Sequence, residues 1–376
     1  MSKKAKKEKA ISQKKFWLRL TRVCNNNCIF CLDKDSKDGK IIPLPEIFAS
    51  LRQARKEGFS RVILSGGEAT IHPEIVKIVS KAKKSGFERV QIISNGRMLA
   101  YDSLTADLKK AGLDEVTFSM HAHKEELFEK ISRAKGSYMQ AMRGLDNAMK
   151  NGFIVNIDIV ITRLNYKYLR EIMDFYVRLG VREFDLLHIM PFGEAWDNWD
   201  KLNFSLEESQ KYLNKALELN KRKDIFIWTN RLPAQYLEGN EDLIQSPKKL
   251  KDEVSGMREM FDAYMTDGRM MRCRGEKCEF CVMRTFCEDL IYLKEKKKIA
   301  SRENPKCLSF KNNKQKEFSL SADFDIFHFL DFFINHRYHV KSLRCEECRY
   351  GKSCSGAWIE DVRERGFDIL KPIKNT

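Results

Sequence analysis

The stretch F-W-L-R-L-T-R-V-C-N-N-N-C-I-F-C, residues 16–31, decides how this chain is read. Trp17–Thr21 has the composition of a short strand, and it runs straight into a loop that carries Cys24, Cys28 and Cys31. Three and then two residues separate these cysteines. A loop this compact can bring three thiolates to one face of an iron–sulfur cubane. Three ligands for four irons leave one iron open, unlike a closed four-cysteine structural site. The competing reading is a zinc site short of one ligand, and no further His or Cys lies close by in sequence to complete it.

Outward from this loop the chain repeats one pattern: a short apolar run, then an amphipathic stretch ending at a glycine. Strands are expected at Trp17–Thr21, Arg61–Ser65, Val90–Ser94, Val116–Ser119, Asn156–Ile161 and Phe184–Met190, and helices at Pro45–Glu57, Pro73–Ser85, Ser137–Asn151 and Tyr166–Leu179. Gly58, Gly86, Gly112, Gly152 and Gly180 stand where helices should stop. Six strands alternating with helices imply an α/β fold, a parallel sheet covered by helices and curled into a partial (βα)6 TIM-like barrel. Functional loops then belong at the C-terminal ends of the strands. The pattern fades after Phe192. Ser205–Lys223 reads as a helix and Asp224–Thr229 as a possible strand. The expected organisation is a basic, disordered tail over 1–15, a core over 16–200, a mostly helical linker over 201–270 and a cysteine-rich domain over 271–376.

The C-x3-C-x2-C loop after the first strand resembles the signature of the radical S-adenosylmethionine (radical SAM) superfamily, as does the aromatic Phe30 before its last cysteine. A second match is L-S-G-G-E, which ends the second strand with Gly66, Gly67 and Glu68, about thirty-five residues after Cys31. The resemblance implies that this segment meets the methionine amino group of SAM; glycines allow close backbone approach and a carboxylate suits an ammonium. A third match is I-S-N-G, with Ser94 and Asn95, which the family directs toward the ribose or carboxylate of SAM and which otherwise reads as an Asn-Gly turn. Ser119, His121 and His123 follow the fourth strand. Asn156 and Asp158 lie on the fifth at period two, and His188 lies near the end of the sixth. Phe30, Gly66, Gly67, Glu68, Ser94, Asn95, Ser119, His121 and Asp158 are thus the candidate cofactor contacts. The family chemistry is reductive cleavage of SAM to a 5′-deoxyadenosyl radical that takes hydrogen from a substrate, with a flavodoxin or ferredoxin as reductant.

Eight more cysteines lie in the last hundred-odd residues: Cys273, Cys278, Cys281 and Cys287, the lone Cys307, and Cys345, Cys348 and Cys354. Two copies of C-x2-C-x5-C resemble the auxiliary-cluster extensions called SPASM and twitch. The chain departs from the SPASM pattern where Ile291 and Trp358 stand in place of a fourth cysteine. Eight is two sets of four, so two auxiliary [4Fe–4S] clusters are expected. The pairing is left open, as are a zinc site and a cluster with an open iron. Phe324, Phe327, Phe329, Phe332, Phe333 and Tyr338 read as one buried helix face, with His328, His336 and His339 in or after it.

Of the 376 residues 43% are hydrophobic, enough for a sizeable core, and the formal net charge is +16. The basic balance fits either a solvated surface or an acidic partner. No long apolar run suggests a membrane span, and clustered cysteines fit a reducing cytoplasm. The leading reading is modification of a peptide or protein side chain. The alternatives are a small metabolite or cofactor precursor, RNA modification, and a non-enzymatic multicluster electron carrier or zinc-binding protein.

Overall fold

The computed structural model describes residues 13–34, 38–271, 273–308 and 315–374; most of the basic tail expected over 1–15 lies outside them. The chain divides into two compact units between Asn230 and Arg231.

The first unit is built on a seven-stranded parallel sheet: β1 (Lys15–Thr21), β2 (Arg61–Gly66), β3 (Arg89–Ser94), β4 (Glu115–Ser119), β5 (Ile154–Ile161), β6 (Glu183–His188) and β7 (Phe226–Asn230). Strand order follows chain order from β1 to β7, the winding of a partial barrel wall. The possible strand at Asp224–Thr229 is real and extends the six expected strands to seven. Helices Leu44–Lys56, Ile75–Lys84, Ser137–Lys150 and Leu169–Arg178 fall where the periodicity places them. Pro73 does not open its helix. The carboxylate of Glu68 instead accepts from the Thr70 amide and caps a short 3-10 turn at Ala69–Ile71 before the helix begins. All five helix-ending glycines adopt positive φ, between 67° and 102°.

Side chains alternate across each strand. Val62, Leu64, Val90, Ile92, Val116, Phe118, Ile157, Ile159, Phe184 and Leu186 are fully buried beneath the helices. The opposite face is polar. Near the starts of the strands Arg61 donates to Gln91 Oε1 (2.6 Å) and Glu115 Oε1 (2.7 Å), Asn156 Nδ2 donates to Glu115 Oε1 (2.5 Å), and Trp228 donates to Glu183 Oε1 (2.7 Å). Burial lowers the pKa of Arg61, and the Glu115 charge opposes that shift. This network closes the N-terminal end of the barrel, the end that serves stability, and leaves the C-terminal strand ends for chemistry.

The second unit carries short helices and two-stranded ribbons around an aromatic core. Phe286 packs against Phe261, Phe329 and Phe333 with ring centroids 5.3–5.6 Å apart. The expected aromatic helix is Ile326–His336, started by Asp325, whose carboxylate accepts from the Phe327 amide. Arg337 forks onto buried Asp289 (2.7 and 2.8 Å) beside it.

Candidate active site

The cysteine loop leaves β1 at Thr21 and is gripped from three directions. The end of β2 holds its entry: the Gly67 amide donates to Thr21 O (2.8 Å) and the Glu68 amide to Val23 O (2.8 Å). A Cβ on Gly67 would stand 2.2 Å from Val23 O, and one on Gly66, at φ 132°, would stand 2.3 Å from Thr21 O. The glycines are therefore required by close approach to the loop that bears the cysteines, a reason absent from the pattern-based argument. The end of β3 holds the middle. Asn95 Nδ2 donates to Asn25 Oδ1 (2.7 Å) and lies 3.9 Å from Cys24 Sγ, while Arg97 donates to Asn25 O and to Asn26 Oδ1 (2.9 Å). The segment after β6 holds the exit: the Glu194 amide donates to Cys31 O (2.9 Å), and Gly193 packs against Cys31 and Leu32 backbone. Arg97 and Gly193 were missed by sequence reasoning. Arg97 had a signal in its place next to S-N-G; Gly193 had none, because its role rests on a contact 160 residues distant in chain.

Within this frame Cys24, Cys28 and Cys31 are half-buried and none is in a disulfide. The Cys31 amide donates to Cys28 O (3.0 Å), closing the C-x2-C turn, and the Asn26 amide donates to Cys24 Sγ (3.4 Å). Glu68 is 2% exposed. Its Oε1 accepts from Ser94 Oγ (2.8 Å), Thr70 N and Thr70 Oγ1, and its Oε2 from the Asn95 amide (2.7 Å). Burial raises its pKa, opposed by these donors. The carboxylate thus ties the end of β2 to the end of β3.

Phe30 meets His121 edge-on, with ring centroids 4.7 Å apart. His121 Nδ1 accepts from the Val160 amide (3.1 Å), which assigns the ring proton to Nε2. Burial drops its pKa to about 3, so it is a neutral donor at pH 7. Ser119 and Asp158 are register partners on β4 and β5. Two candidates lie elsewhere. His123 faces Phe175 and Glu171 of the helix Leu169–Arg178. His188 shares its strand face with Leu186 and packs on Phe204, with centroids 5.5 Å apart, on the side opposite Asp185.

A family model for the radical SAM superfamily matches residues 18–176. A probable GTP 3′,8-cyclase of Saccharolobus islandicus (strain M.14.25 / Kamchatka #1) is 31% identical over 204 residues, 53% of this chain and 64% of that protein. One from Sulfurisphaera tokodaii is 28% identical over 201 residues, 53% of this chain and 62% of that protein. The match thus spans less than two thirds of these relatives. Streptococcus suis SuiB bound to S-adenosylmethionine superposes with a TM-score of 0.50 at 14% identity, over 99% of this chain and 79% of that one, which is a likeness of fold. Residues 18–176 are a radical SAM domain, and the groups such a domain holds are SAM and a [4Fe–4S] cluster.

The residues present fit those groups. Among the described residues no three His, Cys, Asp or Glu side chains converge as tightly as a single metal ion requires. A cubane spreads its thiolates over separate irons, and three half-buried cysteines along one clamped loop suit that demand. No helix among the described residues is long and apolar enough to cross a membrane.

Proposed function

We propose that this chain is a radical SAM enzyme acting on a small polar metabolite or cofactor precursor. The observation that carries the reading is the 204-residue match to probable GTP 3′,8-cyclases, whose name describes ring closure on a nucleotide. The polar strand face, with Ser119, Asp158 and Asp185, agrees with a small polar occupant. Peptide modification, the leading expectation from sequence, rests on C-terminal cysteine spacing alone. That spacing fails at Ile291, packed against the aromatic core, and at Trp358, whose indole donates to Ile334 O (2.8 Å). RNA modification rests only on charge.

When bound, the cluster supplies the electron that cleaves SAM to methionine and the 5′-deoxyadenosyl radical. The protein's share is positional. Cys24, Cys28 and Cys31 would hold the cluster on a loop that β2, β3 and the segment after β6 tie down. Glu68 Oε2 would accept from the methionine ammonium, Phe30 and His121 wall the same end of the barrel, and neutral His121 offers a donor at Nε2.

The test is anaerobic reconstitution with iron and sulfide, then 5′-deoxyadenosine formation from SAM under dithionite. Wild type should form it, and the Cys24→Ala/Cys28→Ala/Cys31→Ala variant should not. GTP and a desalted small-molecule extract should raise the yield, whereas a peptide fraction should leave it unchanged. Stimulation by the peptide fraction alone overturns the substrate class; cleavage by the triple variant overturns the reading as a whole.

A further inference from the structure

The loop after β4 turns three consecutive carbonyls inward, and each meets a side chain from a different element. Asn165 Nδ2 donates to His121 O (2.9 Å), the Tyr176 hydroxyl to Ala122 O (2.7 Å) and the Tyr138 hydroxyl to His123 O (2.9 Å). Asn165 lies on the loop after β5, Tyr176 on the helix Leu169–Arg178 and Tyr138 on the helix Ser137–Lys150. Asn165 and Tyr176 are fully buried. A buried carbonyl without a donor is costly, so these side chains fix the path of the loop residue by residue.

Asn165 is the centre of the arrangement. The same Nδ2 also donates to Val160 O (2.9 Å), and Oδ1 accepts from the Thr162 amide (2.8 Å). The Val160 amide in turn donates to His121 Nδ1 (3.1 Å). One side chain thus holds the backbone of His121 and also the residue that holds its ring. The parallel ladder between β4 and β5 ends at this point. The Met120 amide still donates to Asp158 O (3.1 Å), but the Val160 amide goes to the imidazole instead of to a carbonyl.

The consequence falls on Nε2. With Nδ1 accepting, the ring proton is assigned to Nε2. His121 is 7% exposed, and its Nε2 meets no acceptor among the described residues. The ring stands edge-on to Phe30, the residue before Cys31. A buried donor in this state costs free energy unless a ligand supplies the acceptor. The hydrogen bonds around His121 therefore satisfy every polar group except the one that faces the cysteine loop.

We propose that Asn165 is a positioning residue, which fixes the tautomer and direction of His121 so that Nε2–H donates to an oxygen of the ligand bound at the strand ends. That oxygen is a carboxylate or a hydroxyl, borne either by SAM or by the second substrate. The proposal rests on the reading of the chain as a radical SAM enzyme. Tyr176 and Tyr138 support the same loop one and two residues further on, with smaller effect.

The test uses the full chain, reconstituted anaerobically and left unreduced for the binding measurements. NMR on protein carrying isotope-labelled histidine reads the tautomer of His121, identified among the seven histidines by its loss in His121→Gln. Wild type should show Nε2–H with Nδ1 unprotonated, and Asn165→Ala should show both tautomers. At unchanged iron content Asn165→Ala should also lose roughly tenfold or more, the scale on which removing an orienting partner acts. The loss falls either on SAM affinity, read by equilibrium dialysis, or on the stimulation of SAM cleavage by GTP or the desalted extract. The first places the oxygen on SAM and the second on the substrate. His121→Gln, whose amide nitrogen reaches toward the Nε2 position, should retain more than His121→Leu, which should lose as much as Asn165→Ala. Should Asn165→Ala fail to fold, Tyr176→Phe decides, with mixed tautomers and a smaller loss in the same direction expected. A wild-type tautomer in the folded variant overturns the proposal, as does His121→Leu with wild-type affinity and stimulation. A wild type that shows the expected tautomer yet binds no SAM counts against the proposed function alone, because the tautomer comparison needs no cofactor.

Discussion

The C-x2-C turn of the first unit and the two of the second are closed by the same backbone bond, from the second cysteine amide to the first cysteine carbonyl, at 3.0, 3.3 and 3.2 Å. What surrounds them differs. In the first unit the turn is held by partners far away in sequence: Gly67, Asn95, Arg97 and Glu194 all reach it from other strand ends. In the second unit the turns lie beside helices and ribbons without a large sheet: the Glu276–Phe280 turn is closed by near neighbours, whereas the Leu343–Glu347 turn is also tied to Glu238 through Ser342 and Arg344 and to Ile373 through Cys348. A C-x2-C turn is thus a portable local structure, and the scaffold decides what it becomes. At the strand ends of the parallel sheet the turn lies on a loop tied to Gly67, Asn95 and Arg97, whereas in the second unit it lies among further cysteines.

The sharpest way to break this contrast is Gly67→Ala. Its methyl group would sit 2.2 Å from Val23 O, with both partners on backbone. Relief requires breaking the hydrogen bonds that the Gly67 and Glu68 amides donate to the loop. The expected result is loss of SAM cleavage and of about four irons, with auxiliary iron retained. The apoprotein should lose roughly 3 kcal/mol or more, as overpacking against a fixed backbone does. Full activity in this variant would show that the loop does not depend on β2.

Phe286→Ala tests the other side. Phe286 is 1% exposed at the centre of the second unit's aromatic core. Truncation should cost about 3–5 kcal/mol in denaturant unfolding of that unit. Any iron held through Cys287 should be lost with it, because Cys287 follows Phe286 on the same helix. An unchanged auxiliary iron count would mean that this site holds itself together without the core.

Much of this was legible in the sequence because it is local. The strands are apolar runs bounded by glycines, and C-x3-C-x2-C and G-G-E are contiguous words. The illegible parts are relations between segments. Gly66 and Gly67 read as room for a ligand, yet their first demand is contact with Thr21 and Val23. Arg97 and Gly193 matter only through the loop they touch. β7 was faint because Phe226–Asn230 mixes apolar and polar residues, its polar-face side chains Trp228 and Asn230 facing the acidic side chains of β6. His188 was misplaced because period two decides its face, and its register is fixed only once β6 pairs with β5.

The smallest effect concerns that histidine. As a pocket residue it would alter SAM cleavage; on Phe204 it should alter only stability. Burial lowers its pKa to about 4, aided by no charged neighbour among the causes of that shift and opposed by a hydrogen bond involving the Ile189 backbone. The unfolded chain takes up a proton near pH 6.5. Its contribution is therefore complete above pH 6.5 and is lost as pH falls from there toward 4, because the unfolded state binds a proton that the folded state refuses. The slope from this group approaches about 1.4 kcal/mol per pH unit in that window. His188→Asn should flatten the acid limb of a denaturant-monitored stability profile by about one proton while leaving 5′-deoxyadenosine formation at neutral pH within about twofold. An unchanged acid limb together with a tenfold loss of cleavage would return His188 to the pocket.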